Sequence, residues 1–234
     1  NSFLIDGYYM RMTPGLTDGR GDDFKGDSPW LDLVQVGQFI LLPTSGPVQW
    51  SWSAYYQAVF RANQVLENVP NIEMDTNVKD RALGQAYFLR AIAYFHLKTN
   101  FQKVPLILTP AQSQEEYYPP TASEEAIWNQ IIDDLKNAQN MLPIDYNNIS
   151  GADQGQVGRA TKGAATAFLG KAYLYSKQWD LAAIEFEKLV QGSLSQYSLV
   201  ADYRDNFSPF TENNSESIFE VQFATPDQVG GTVK

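Results

Sequence analysis

The sequence predicts a mainly α-helical protein built from tetratricopeptide-like helix pairs, with long loop insertions and a short β element. Three features support this fold class. Apolar residues recur every three or four positions in five long segments, which is the period of a helix. Two neighbouring segments carry small and aromatic residues at the spacing of a helix-pair repeat. One short segment near the carboxyl end alternates apolar and polar residues, as a strand does.

The repeat signal is clearest in residues 165–190. Leu169-Gly170 and Tyr173 match the spacing L-G-x2-Y on one helix, and Ala182 and Phe186 match A-x3-F on the next. Gly170 and Ala182 are small because two helix backbones approach each other there, and the aromatic side chains fill the space beside them. A second, degenerate pair is expected from the second and third long helices.

The helices are predicted in order along the chain. The first long helix covers Val48–Val69, where the helical period continues until a proline ends it. The second, Val78–Lys98, is apolar on most sides and should be central. The third begins after Ser123, a good capping residue, and ends before a proline. The fourth and fifth are predicted at Arg159–Ser176 and Trp179–Val190.

The remaining segments are predicted to be irregular or extended. Residues 1–47 are rich in glycine, aspartate, proline and aromatic residues, which predicts mostly loop with a short helix near Asn1–Met12. Four prolines make residues 99–121 a long insertion. Ser217–Phe223 alternates like a strand. We expect one domain, with a loop region at 1–47, a helical platform at 48–192 and a loop with a short strand at 193–234.

The composition excludes several classes of function. The chain has no cysteine and a single histidine, His96, so cysteine nucleophiles, thiolate or histidine metal sites and Ser-His-Asp catalysis lack their residues. The net charge of −10 argues against nucleic acid as a partner. No apolar run is long enough to span a membrane. No catalytic residue, metal site or cofactor is therefore expected.

Five stretches of the sequence, taken together and in order, match the pattern of one known family. They are WSAYYQAVFRANQVLENV, RALGQAYFLRAIAYFHLKTNFQKVPLIL, EEAIWNQIIDDLKNAQNMLP, GRATKGAATAFLGKAYLYSKQWDLAAIEFEKLV, and YSLVADYRDNF followed by SESIFEVQF. The most characteristic segments are Phe101–Leu108 and Gly158-Arg159-Ala160-Thr161. Through these stretches the chain resembles the SusD/RagB family, the surface nutrient-binding lipoproteins of Bacteroidetes, over about Val48–Phe223.

The resemblance implies a non-enzymatic protein of the outer membrane and cell surface. Such proteins bind a glycan, or in some cases a peptide, and lie as a lid over a SusC-like TonB-dependent transporter. They are anchored through a lipidated N-terminal cysteine. This sequence lacks that cysteine and has roughly half the usual family length, so we expect it to be the N-terminal part of a longer protein.

The family's pocket draws on the loop region ahead of the first long helix, so candidate ligand residues are sought there. Trp30 in a polar loop and Trp50 at the Gly-Pro entry to the helix are candidates for stacking on a sugar ring. Burial in the core is the alternative for both, and it is the prediction for Trp52 on the apolar stripe. The polar candidates for bonding sugar hydroxyls are Asp18, Arg20, Asp22 and Asp23.

Other polar residues are assigned structural roles. The DGRGDD turn at 18–23 is either solvated or a ligand contact. It does not match an EF-hand, because Arg20 stands at a ligand position and Pro29 at the twelfth. Asp133 and Asp134 are predicted to lie on a solvated helix face rather than to form a catalytic pair. His96 is predicted to be a hydrogen-bonded core histidine.

Two functions remain open. The leading hypothesis is a surface nutrient-binding protein, with an oligosaccharide as the expected ligand, that works with an outer-membrane transporter. The alternative is a tetratricopeptide scaffold that binds a protein or peptide in a concave groove. Exposed tryptophans in loops favour the first hypothesis, and polar or charged side chains along the inner helices favour the second.

Overall fold

The computed structural model describes residues 12–22, 31–111, 113–194 and 196–222, and the statements below concern these residues. The chain forms seven α-helices within them. In order they are α1 Met12–Thr17, α2 Leu31–Gly37, α3 Gly46–Asn68, α4 Thr76–Phe101, α5 Glu124–Met141, α6 Lys162–Tyr175 and α7 Trp179–Val190. Four short 3-10 helices lie at Asp18–Arg20, Val69–Asn71, Glu115–Tyr117 and Tyr203–Phe207.

The predicted helical fold class is confirmed. All five long helices form, with ends within three residues of those predicted. Side-chain caps begin three of them. Asp75, Ser123 and Thr161 each accept a hydrogen bond from the backbone N–H three residues ahead, which satisfies one of the otherwise unpaired donors of the first turn.

The five long helices pack in sequence, each on its neighbour in the chain, as the units of a helical repeat do. The short helices α1 and α2 pack against α3. The central helix α4 is buried along much of its length, as predicted from its apolar surface. Fully buried side chains from α3 to α6 form one core, which includes Tyr55, Phe88, Ile92, Tyr94, Ile131 and Leu169.

Gly170 lies at a close contact between α6 and α7, which pack against each other as the predicted helix pair. A Cβ atom added to Gly170 would lie 2.6 Å from the ring of Phe186 on α7. Ala182 is also buried at this crossing. The L-G-x2-Y and A-x3-F pattern therefore has the packing role expected of it.

The proline-rich insertion after α4 is held to the helices by buried side chains. The Tyr56 hydroxyl donates to the carbonyl of Pro105 at 2.7 Å, and the Asn63 amide donates to that of Ile107 at 3.0 Å. The insertion then returns, and Pro105 and Thr121 form an isolated antiparallel bridge. These bonds fix an irregular segment that has no regular ladder of its own.

Two predictions about the ends of the chain need correction. Residues 12–47 contain the helices α1 and α2, which were not predicted because such short helices depend on packing, and the predicted helix near Asn1–Met12 falls almost wholly outside the described residues. The described residues 217–222 of the predicted strand form no strand, because none of them pairs in a ladder. Phe219 and Val221 nevertheless pack against the core, as their alternation indicated.

The prediction that Asp133 and Asp134 share a solvated face is wrong for Asp134. Asp134 is 1% exposed, and its two oxygens accept hydrogen bonds from Arg90 at 2.7 and 2.8 Å. Burial raises the pKa of Asp134, while the bond from Arg90 opposes that shift. Arg90 also donates to the side-chain oxygen of Asn63, so the buried pair joins α3, α4 and α5. Asp133 is exposed, as predicted.

Candidate functional site

The residues predicted to contact ligand lie around the short helix α2. Asp18, Arg20 and Asp22 lie just before it in the chain, and Trp50 lies at the beginning of α3, against which α2 packs. Trp30 and Asp23 lie outside the described residues, so their roles remain predictions. We call the surface formed by residues 18–22, α2, Phe39 and Trp50 the α2 rim.

Trp50 is 48% exposed and lies over the backbone of Gly46. A Cβ atom at Gly46 would be 3.2 Å from the indole ring and 2.8 Å from a carboxylate oxygen of Asp32. Both side chains therefore approach the same point, and a side chain at position 46 would displace at least one of them. An exposed aromatic ring beside a carboxylate is suited to binding a sugar, because the ring covers C–H groups and the carboxylate accepts from hydroxyls.

The turn at residues 18–22 adds charged groups at the other end of α2. Asp18, Arg20 and Asp22 are all exposed. The Arg20 guanidinium donates to the side-chain oxygen of Asn100 near the end of α4, at 3.1 Å. The carbonyl of Gly19 lies close to Gly37, the last residue of α2. The turn and Trp50 thus lie near opposite ends of α2, whose seven residues span about 10 Å.

Phe39 is a second exposed aromatic residue of this surface. It follows the end of α2, is 71% exposed and has a φ of 56°, a left-handed conformation that a bulky residue rarely adopts. The N–H of Phe39 bonds to the carbonyl of Val36, as in a helix C-cap that glycine usually supplies. An aromatic residue held in a strained and exposed position is a functional candidate, because neither packing nor backbone preference favours it.

The α2 rim therefore presents two aromatic side chains, three carboxylates and one guanidinium over a length of two or more sugar rings. Sequence analysis identified Trp50, Asp18, Arg20 and Asp22 but missed Asp32 and Phe39. The position of Asp32 depends on how α2 packs on α3, which no local pattern shows. Phe39 lies two residues after Gly37. A glycine often marks the end of a helix, so Gly37 was a signal in the sequence that could have drawn attention to Phe39.

Trp52 is partly buried and packs against the core, as predicted. Its ring lies 4.9 Å from that of Tyr56 and 5.0 Å from that of Phe101, measured between ring centroids. Trp50 and Trp52 differ by two positions on the same helix, so they point in different directions. One is therefore available to a ligand, while the other packs against the helices.

A large cleft lies elsewhere, between α3 and α4. We call it the α3–α4 cleft; it has a volume of about 860 Å³. One wall runs from Ala58 on α3 to Val69 just after its end, the second is α4 from Val78 to Leu89, and the third is the loop at residues 152–160. Phe219 closes one side. This cleft shares no residue with the α2 rim.

Two negative findings concern the described part of the chain. It contains no group of three or more histidine, aspartate or glutamate side chains placed to hold a metal ion. No helix in residues 12–22, 31–111, 113–194 or 196–222 has the length and apolar character needed to cross a bilayer.

Comparison with known proteins decides the family. The sequence profile of the SusD-like proteins, described as starch-binding and associating with the outer membrane, matches residues 17–174. The chain belongs to this SusD-like family. The family consists of carbohydrate-binding proteins rather than enzymes, which agrees with the absence of catalytic residues predicted from the sequence.

Solved structures of SusD-like proteins share this fold. A SusD superfamily protein from Bacteroides vulgatus matches 93% of the chain with 30% identity and a TM-score of 0.81. A laminarin-binding SusD-like protein matches 83% of it with 33% identity and a TM-score of 0.73. A SusD-like protein from Bacteroides ovatus is 28% identical over 228 residues, or 92% of the chain.

The chain spans less than half the length of these relatives. It covers 40% of the Bacteroides ovatus protein and 45% of the Bacteroides vulgatus structure. Family and fold follow directly from these matches. Because the chain covers only part of these relatives, the ligand and the partners of the whole protein do not follow from the matches.

Proposed function

We propose that this chain is a SusD-like unit of a cell-surface protein that binds a glycan without catalysis and delivers it to a SusC-like TonB-dependent transporter. A lipid anchor would hold the whole protein at the outer membrane. In this proposal the 234 residues act as one unit, in which the helices from α3 to α7 support the α2 rim. Asp23 and Trp30, which fall in the same stretch of the chain, would extend that surface.

One observation carries the proposal: the exposed ring of Trp50 lies beside the carboxylate of Asp32, in the first turn of α2. A sugar ring binds by covering one face with an aromatic side chain while its hydroxyls bond to charged or polar groups at the edge. The α2 rim repeats this combination at its other end with Phe39 and the charged residues 18–22. The family model that matches this chain is described as starch-binding, which also supports a carbohydrate ligand.

The test compares two tryptophans on the same helix. Trp50→Ala should weaken binding of maltoheptaose or laminarin oligosaccharides about tenfold, or roughly 1–2 kcal/mol, with little change in melting temperature. Trp52→Ala should instead lower the free energy of unfolding by about 3 kcal/mol or more, because it leaves a cavity against Tyr56 and Phe101. Isothermal titration calorimetry and thermal melting measure the two effects.

Two results would contradict this assignment. If Trp50→Ala destabilises the fold as strongly as Trp52→Ala, the Trp50 ring serves packing and not ligand binding. If Trp50→Ala leaves the affinity for a bound oligosaccharide unchanged, the glycan contacts lie away from the α2 rim. If the unchanged protein binds no member of a glycan array, the proposal that its ligand is a carbohydrate is wrong.

A further inference from the structure

We propose that Asp32 and Trp50 form a subsite for a positively charged sugar unit, one that carries an ammonium group, within the glycan that the α2 rim binds. This subsite rests on the function proposed above and adds the chemical class of one unit of the ligand. Three observations support it. The two side chains meet at one point, the fold uses neither of them, and the surrounding charge is negative.

The two side chains approach one point of the backbone from different helices. A Cβ atom added to Gly46 would lie 2.8 Å from Oδ2 of Asp32 on α2, and 3.2 and 3.3 Å from Cη2 and Cζ3 of Trp50 on α3. The indole therefore lies nearest to Gly46 at the outer edge of its six-membered ring. A charged group a few ångströms wide can contact the ring and the carboxylate together.

Neither side chain has a partner in the part of the chain that the structure describes. The carboxylate of Asp32 accepts no hydrogen bond and forms no ion pair there, although Asp32 is half-buried. Trp50 is 48% exposed and contacts no other aromatic ring there, whereas Trp52 packs against two rings. A carboxylate in the first turn of α2 suits the helix dipole, but the dipole does not direct it towards α3. Two groups with unused binding capacity thus converge.

An aromatic ring beside a carboxylate is suited to a cation. The face of an indole attracts a positive charge, and the attraction of the carboxylate adds to it when both contact the same group. An ammonium donates up to three hydrogen bonds and a hydroxyl donates one, so the ammonium makes fuller use of the two carboxylate oxygens. Among sugar units, an amino sugar therefore complements this pair better than a neutral sugar does.

The charge of the α2 rim favours the same ligand class. Its described charged residues are Asp18, Asp22, Asp32 and Arg20, which gives three carboxylates and one guanidinium. Arg20 lies near the other end of α2, where its guanidinium donates to Asn100, so it does not pair with Asp32. The whole chain carries a net charge of −10. Such a field attracts cationic ligands and repels sugars that carry carboxylate or sulfate groups.

The experiment compares two trisaccharides that differ only in charge at one position of each unit. The β-1,4-linked trisaccharide of glucosamine carries an ammonium where cellotriose carries a hydroxyl. Calorimetric titration of the full-length protein at pH 6, where amines and carboxylates are both charged, should show the glucosamine trisaccharide binding about fivefold more tightly at low salt. Asp32→Asn should remove this preference and change the affinity for cellotriose by about twofold or less.

Two controls separate the subsite from the general acidity of the chain. Asp133→Asn removes an equal charge from the exposed side of α5, outside the α2 rim, and should leave the preference unchanged. Trilysine carries amines without sugar rings, and it should bind more weakly than the glucosamine trisaccharide because it does not cover the indole face.

Several results would overturn the charged subsite. They are equal affinity for the two trisaccharides, no binding of either, the same loss of preference in Asp133→Asn as in Asp32→Asn, and trilysine binding as tightly as the glucosamine trisaccharide. Trp50→Ala distinguishes this failure from failure of the proposed function. If Trp50→Ala weakens cellotriose but the unchanged protein binds both sugars alike, glycan binding at the α2 rim stands and only the charged subsite is wrong.

Discussion

At the scale of single residues, the buried pair of Arg90 and Asp134 connects three helices. Asp134 accepts from the guanidinium through both oxygens and also from the amide of Gln130 at 2.8 Å. Arg90 reaches Asn63 on α3 and the carbonyl of Leu108 in the insertion after α4. Both charges are thus compensated inside the core, as buried charges must be.

Replacing Asp134 should therefore be far more damaging than replacing its neighbour. Asp134→Ala leaves the Arg90 guanidinium buried without its carboxylate and should lower the free energy of unfolding by about 3–5 kcal/mol. Asp133→Ala removes an equal charge from the exposed side of α5 and should change stability by about 0.5 kcal/mol or less. Urea denaturation measures the free energy of unfolding of both variants. Similar losses in the two variants would mean that the pair of Arg90 and Asp134 contributes little to stability.

The sequence could not have placed Asp134 in the core. Its position opposite the apolar stripe of α5 is typical of a solvated residue, and this expectation was correct for Asp133. Arg90 of α4 meets that side of α5, and the carbonyl of Leu108 in the insertion after α4 accepts a further hydrogen bond from it. Burial of a charge depends on such a distant partner, and local periodicity carries no information about it.

At the scale of helices, the crossing of α6 and α7 depends on the absence of a side chain at Gly170. Gly170→Leu should force the helices apart, because even a Cβ atom would meet the Phe186 ring at 2.6 Å. We expect a loss of about 3 kcal/mol in the free energy of unfolding through overpacking. Calorimetric melting can measure it.

The control for this change is Ala183→Leu, which adds a side chain to the exposed face of α7. It should alter stability by about 0.5 kcal/mol or less. If Gly170→Leu melts at the temperature of the unchanged protein, the helix pair does not pack as the repeat pattern requires. The match of residues 165–190 to the spacing L-G-x2-Y and A-x3-F would then be a coincidence.

At the scale of the whole molecule, His96 should make the fold sensitive to acid. Its ring stacks on that of Tyr55 at 5.5 Å, and burial together with the charge of Lys171 lowers the pKa of His96 to about 4. The unfolded chain takes up the proton near the ordinary value of about 6.5, whereas the folded protein resists it. Stability should therefore fall as the pH falls from about 6.5 towards 4, by up to roughly 3 kcal/mol.

His96→Gln keeps a polar side chain of similar size without this titration. Its free energy of unfolding should change much less between pH 7 and pH 4.5 than that of the unchanged protein. Chemical denaturation at the two pH values measures the difference. An identical pH dependence in both proteins would show that carboxylates, rather than His96, control acid stability.

The sequence by itself determined the five long helices, the repeat and the functions that can be excluded. Helical period, capping residues such as Ser123 and Thr161, and proline breaks act within a few residues, so they can be read locally. The spacing around Gly170 identified a packing contact because repeats preserve it. The composition, with no cysteine and one histidine, excluded sites that depend on cysteine or on several histidines.

The tertiary structure alone decided which residues meet. It placed Asp32 beside Trp50, buried Asp134 with Arg90 and opened the α3–α4 cleft beside Arg61 and Arg159 at its rim. Each of these contacts joins segments that are distant in sequence, and each depends on how helices dock and how a loop crosses them. Local patterns fix the elements, but only their packing in three dimensions brings the functional groups together.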